Sequence, residues 1–293
     1  WTADELFSLI PPTPRRYVID FHPRNMFESA KYKAPFSRLK KYVLPTREEA
    51  AREEEERNEE VLRNRPKASV NHHHANFLKK WWLMSYPREE MVSAITALPR
   101  YIVCGRVTKR PIFNFLSSRI RPNDALVVFP FADDYSFGIL QSGIHWQWFL
   151  ARCSTLRADF RYTSNTVFDS YPWPQCPSIA QVRSVAEASK KLRDLRQQIM
   201  QENDWSLRDL YRTLELPGAN PVKDAQTALD EAVRAAYGMK KNTDPLAFLL
   251  DLNHQVAKHE GQLLPVTGPG LPPCVKDSKP YTTKDCIQVG NCD

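Results

Sequence analysis

Glycine is scarce in this sequence, 9 of 293 residues, and none of the nine builds the glycine-rich turn after a first strand by which a backbone approaches a nucleotide-like methyl donor. Gly105, Gly138 and Gly143 are isolated, and Gly268 and Gly270 fall late in the chain. An Asn-Pro-Pro-aromatic tetrapeptide, which would hold an adenine amino group beside such a donor, is also lacking. Pro11-Pro12 follows an isoleucine and precedes Thr13. The six cysteines (104, 153, 176, 274, 286 and 292) lack the paired short spacings of a zinc site. Cys104 and Cys153 read as small buried residues, while Cys274, Cys286 and Cys292 leave a disulfide or an adventitious metal open. No stretch approaches the roughly 20 apolar residues of a membrane span, and the N-terminus lacks the pattern of a cleaved leader. The chain therefore reads as soluble and cytoplasmic. It opens on Trp1 rather than Met, so a piece of a longer polypeptide is expected.

Catalytic constellations are equally thin. Asp277-Ser278-Lys279 has the carboxylate-to-lysine spacing of a metal-dependent nuclease but lies in a Gly/Pro/Thr-rich tail, whereas such ligands need rigid strands. His72, His73 and His74 are adjacent on an expected loop and cannot all face one ion, and no carboxylate or cysteine pair completes a set. Ser142 and His145 lack a nucleophile elbow and an orienting acid. Catalysis by this chain alone is not expected, and no metal site is assigned.

What the chain does have is cationic charge: 41 Lys and Arg against 34 Asp and Glu, a formal +7. From Arg100 to Arg121 there are six basic side chains and no acidic one, a composition suited to phosphates. Residues 1–45 are proline-rich around a strand-like Tyr17–Phe21 run and a helical Phe27–Tyr32 segment. Residues 46–80 open with a highly charged helix, Thr46 to Arg65, with Thr46 as candidate N-cap, and close with a loop. Residues 81–177 begin with a helix from Trp81 to Tyr101. Short strand-like runs follow at Tyr101–Val107, Ile112–Leu116, Ala125–Phe131 and Ser136–Gln141, separated by turn signals. Residues 178–264 turn helical, with runs over Ile179–Asn203, Ser206–Leu214, Ala225–Ala236 and Pro245–Glu260. Residues 265–293 read as a flexible tail. The fold class is α+β: a mostly antiparallel β unit with flanking helices, then an α-helical C-terminal bundle.

Particular segments carry a resemblance. Trp81-Trp82, Arg100-Tyr101-Ile102, Arg106-Val107-Thr108-Lys109 and the run from Asp133 to Trp146, followed by Arg161-Tyr162-Thr163 and Val167 to Pro174, resemble the target-recognition region of MmeI-like adenine-specific DNA methyltransferases. Leu229 to Val233 with Ala236-Tyr237-Gly238, and Leu249 to Asn253 with Glu260, are similar to that family's helical C-terminus; Val18 to Phe21 with Ala30 and Tyr32 are similar to the exit from its catalytic domain. The likeness covers residues 17 to about 261. It implies a sequence-specific duplex-DNA reader of a type II restriction-modification system, a bacterial defence. A catalytic domain outside this chain, in cis or in trans, would bind S-adenosylmethionine, flip out an adenine and methylate its N6 amine; a fused endonuclease is also implied. The chain itself is assigned no cofactor.

Side chains suited to phosphates and base edges supply the candidate DNA contacts: Arg106, Lys109, Arg110, Asn114, Arg119 and Arg121 in the basic segment, and Arg161, Tyr162, Thr163 and Asn165 in a polar turn. Phe137, Ile139, Trp146, Trp148, Phe168 and Trp173 are read as core, and His145 as a structural histidine. The competing reading is a stand-alone specificity subunit that directs a separate methyltransferase or nuclease through its helical bundle. A third is an enzyme whose site the sequence hides.

Overall fold

A computed structural model describes residues 2–10, 14, 16–156 and 159–289. The chain forms two compact units: residues 1–16 with 93–293, and residues 17–92. The larger begins with α1 (Ala3–Ser8), opened by a Thr2–Glu5 capping box. The smaller contains α2 (Met26–Ala30), α3 (Lys33–Tyr42), α4 (Leu44–Asn64) and α5 (His73–Lys79), and α6 (Glu89–Thr96) begins at its end.

Within the smaller unit, rings tie the segments together: Phe21 lies 5.8 Å from Tyr32 and 6.3 Å from Phe36, and Phe36 lies 5.1 Å from Trp81. Glu54, buried on the long charged helix, accepts the backbone amides of His74 and Ala75 at 3.1 and 2.9 Å, placing a carboxylate on the start of α5. Arg47 donates to the carbonyls of Phe77 and Leu83 at 2.9 and 2.8 Å, tethering the irregular segment that follows. Three expectations change here. Tyr17–Phe21 is not part of a β-strand. The charged helix starts at Leu44, with Pro45 in its first turn, and the Thr46 hydroxyl donates back to the Val43 carbonyl instead of capping. The helix expected from Trp81 to Tyr101 is confined to α6, because Pro87 disfavours helix at Tyr86 and Arg88 takes a positive φ of 52°.

In the larger unit, a three-stranded antiparallel sheet has β1 (Arg100–Gly105) at its centre, flanked by β2 (Asn114–Ser117) and β3 (Leu126–Phe129). Val103 pairs with Asn114 on one side and Val128 on the other. Alternation along β1 serves two cores: Ile102 and Cys104 face the main core with Phe113, Phe115 and Phe129, while Tyr101 and Val103 join Leu6, Ile95 and Leu116. Both faces are covered, so β1 is buried throughout.

After β3 come α7 (Asp134–Gln141) and α8 (Gly143–Arg152), then the hairpin of β4 (Ser154–Leu156) and β5 (Asp159–Arg161). A π-helical turn follows over Ser164–Phe168. The run Ser136–Gln141, expected as a strand, lies in α7. Every residue of this helix is buried, so no polar face marks its period, and the signal that counts is Asp133, whose carboxylate accepts the Ser136 amide at the N-cap. The rest is helical: α9 (Ile179–Asn203), α10 (Leu207–Thr213), α11 (Pro221–Ala236) and α12 (Pro245–Gly261). Their starts are written locally as a Ser178–Gln181 capping box, Asn220 before Pro221, and Asp244 before Pro245.

The main core is continuous from the sheet through these helices, joining Phe115, Phe137, Val185 and Leu229, so residues 93–177 and 178–264 form one body instead of two domains. Residues 265–289, expected as a loose tail, are packed too. Gln175 and Thr267 exchange three hydrogen bonds, Tyr281 is buried, and Ile287 pairs with the edge of β2 at Leu116. Cys292 lies outside the described residues. Among the described residues, no helix is long and apolar enough to cross a membrane.

Candidate nucleic-acid interface

The two polar segments singled out in the sequence come together through the backbone. Beyond β1 the chain continues in extended form, and Val107 bridges antiparallel to Arg161. Tyr162 donates its amide to the Arg106 carbonyl at 2.8 Å, and Thr108 donates to the Phe160 carbonyl at 3.0 Å. The hairpin β4–β5 is thus fastened to the end of the central strand. Arg106 is half-buried, whereas Val107, Lys109, Arg161 and Asn165 are exposed, and Thr163 is half-buried at the start of the turn. The pairing brings these basic and amide-bearing residues into adjoining segments, with Arg161 on the face of Val107 and Arg106 on the face of Tyr162.

The remaining candidates separate. Arg119 is exposed in the β2–β3 connection, where Ser118 bonds back to Pro99; the antiparallel register puts this point at the opposite end of β1 from Arg106. Arg121 lies in the same connection and is half-buried. Arg110 is half-buried and stacks its guanidinium over Trp146 at 4.6 Å, with Tyr211 at 5.7 Å, so its planar face is already used. Asn114 turns inward at the head of β2: its Nδ2 is buried without a hydrogen-bond partner. A single basic patch spanning Arg100 to Arg121 is therefore not what folds.

Tyr162 must be withdrawn as a contact. It is 2% exposed, its hydroxyl meets His145 Nε2 at 3.0 Å, and its ring stacks on Phe149 at 5.6 Å. The polar turn begins one residue after this core anchor. Burial holds the His145 imidazole neutral, pushed down to about 3, in agreement with a structural histidine.

Arg100 also leaves the surface. It is 1% exposed, donates to Asp134 Oδ1 at 2.8 Å and Asp285 Oδ1 at 3.0 Å, and lies over the Phe115 ring at 3.6 Å. Arg193 of α9 completes the network, bonding the same Asp134 oxygen and Asp285 Oδ2, the latter at 2.7 Å. Thr283 gives its amide to Asp134 Oδ2 at 3.1 Å. Burial alone would raise the Asp285 carboxyl, but hydrogen bonds and charge from Arg193, with Arg100 behind, hold it down to about 2. Two arginines and two aspartates thus lock β1, α7, α9 and the C-terminal segment into one frame. Sequence reading missed this network because no local spacing announces it.

Among the described residues, no group of three or more His, Cys, Asp and Glu side chains is arranged to hold a metal ion. His73 instead meets the Tyr86 hydroxyl at 2.6 Å, and His74 packs edge-on against it.

Residues 46–175 match the family model described as MmeI, target recognition domain, so the resemblance carried by the sequence motifs holds over those residues. Among curated proteins, DNA methyltransferase A of Bacillus subtilis (strain 168) is 29% identical over 130 residues, covering 43% of this chain. The chain spans only 14% of that relative's length. Among solved structures, the Type IIL restriction-modification enzyme MmeI, determined in complex with DNA, shares the fold with a TM-score of 0.55 at 22% identity, over 69% of this chain and 26% of that one.

Proposed function

We propose that this chain is the duplex-DNA recognition region of a restriction-modification methyltransferase that modifies adenine at N6 with S-adenosylmethionine as donor. The observation that carries the reading is the target-recognition match over residues 46–175, within which the half-buried Arg106 and the exposed Lys109, Arg161 and Asn165 lie on two backbone-paired segments. Arginine and lysine there suit phosphates or guanine O6 and N7; Asn165 suits adenine N6 and N7. Holding them on a strand end and a hairpin fixes their spacing, which base readout requires.

The donor is assigned to a catalytic part outside this chain. Gly105, at the end of the central strand, is packed under Phe7, whose ring carbon would lie 3.1 Å from an added Cβ. The part of the paired segments is to grip the duplex in register while the catalytic domain extrudes the target base. The setting implied is cytoplasmic bacterial defence.

Selection of binding sites from a randomised duplex pool, at two salt concentrations, tests the proposal. The chain is expected to enrich one motif. Arg161→Ala or Arg106→Ala should relax one position of it, a loss of about 1–3 kcal/mol for a bidentate base contact. A pool with no enriched motif, or an unchanged motif in both variants, would overturn the assignment.

A further inference from the structure

The smaller unit carries a second cationic surface, outside the segment that matches the recognition-domain family. Arg24, Lys31, Lys33, Arg38, Lys40 and Lys41 lie within 18 residues, and all six are exposed. Glu28 is the only acidic residue among them, and its carboxylate is engaged by the Asn25 amide at 2.9 Å in a capping box.

Helical geometry sorts these charges. At about 100° per residue, Lys40, Lys33, Lys41 and Arg38 fall in an arc of roughly 160° on α3. The half-buried Pro35, Phe36 and Leu39 take the opposite side. No residue of α3 is acidic.

The neighbouring α4 carries eight glutamates, of which four are engaged elsewhere in the smaller unit. Arg52 pairs with Glu49 and Glu56, Arg57 with Glu53, and Glu54 caps α5. None of the six cations on and before α3 forms an ion pair with a described residue. Exposed aromatics stand among them: Arg24 lies 5.3 Å from the Tyr32 ring, and Arg38 and Lys41 lie 5.4 and 5.3 Å from Tyr42. Arg24, Lys31 and Tyr32 also line a shallow cavity of about 440 Å³ with Pro23 and Glu28.

A protein surface segregates unpaired cations in this way at a cost in self-repulsion that a polyanion removes. We infer that the outer face of α3, with Arg24 and Lys31, is a second duplex-DNA contact that binds the phosphate backbone without reading sequence. The inference rests on the DNA-recognition reading above. It adds a grip whose strength is independent of the target, so that the paired segments around Arg106 and Arg161 supply the choice of site while α3 supplies affinity.

The test is the salt dependence of duplex binding by the full chain, comparing wild type with the combined Lys33→Gln, Lys40→Gln, Lys41→Gln variant. All three side chains are exposed and unpaired, so the fold is expected to stand, and circular dichroism checks it. Each lost phosphate contact lowers the slope of log K against log salt by about 0.9, so the triple variant should lose up to about 2.7. Its preference for the selected motif over random duplex should be unchanged. An unchanged slope with intact binding overturns this inference and leaves the recognition reading standing. An altered motif preference also overturns it, since that would make α3 a reader of bases. Failure of wild type to bind duplex at any salt overturns both.

Discussion

Gly138 of α7 lies directly against Val185 of α9: a Cβ added at Gly138 would sit 2.6 Å from Val185 Cγ1, with Leu229 Cδ1 and Ser189 Cβ both at 3.2 Å. Three helices meet at this one missing side chain. Gly138→Ala would gain helix propensity but must push α7 away from α9, and overpacking of this kind costs about 1–3 kcal/mol. The urea midpoint should fall accordingly. A midpoint equal to or above that of wild type would show that the contact yields freely.

The buried network makes acid sensitivity predictable. The Asp285 carboxyl is held down to about 2 from an ordinary 3.8. A depressed folded value favours the native state above the unfolded one, so its contribution is full above about pH 4 and is lost as pH falls from there toward 2. Wild type should lose stability across that window faster than Asp285→Asn, which is less stable at neutral pH. Parallel stability curves for the two proteins between pH 4 and 2 would contradict the assignment. His145 acts in a second window: pushed down by burial to about 3 from 6.5, it must stay neutral in the fold and destabilises as pH falls below 6.5.

Tyr162 separates core from contact. Tyr162→Phe deletes a hydroxyl whose partner is His145 and should cost about 1 kcal/mol of stability, near the net value of one buried hydrogen bond. The selected DNA motif should not change. A shifted motif would restore Tyr162 to the interface.

How far the sequence could be read follows from how local its signals are. The helices of the C-terminal half were legible from their apolar periodicity, although the expected Ala225–Ala236 run begins four residues inside α11 because the Asn220-Pro221 start was not read. The three strands of the main sheet were legible as short apolar runs between turns. Two failures have a common cause in burial. A helix buried on every side, as α7 is, has no polar stripe to show its period. A tyrosine next to Arg161 and Thr163 looks like part of a polar turn until its ring is found beneath it. The ion network was invisible for a different reason: Arg100 and Asp285 are 185 positions apart, and only the fold brings them to 3.0 Å.

The strand-like pairing of Ile287 with Leu116 has an outcome for the molecule's behaviour in bulk. Ser117 donates to the Ile287 carbonyl and Ile287 to the Phe115 carbonyl, at 3.0 and 2.9 Å, so the outer margin of β2 is already occupied. Uncovered, that margin would offer free amides and carbonyls beside Phe115 and Leu116 to any passing chain, a template for stacking copy on copy. The segment at Ile287 acts as a selvedge on the sheet, and replacing it is expected to favour association of copies at high concentration.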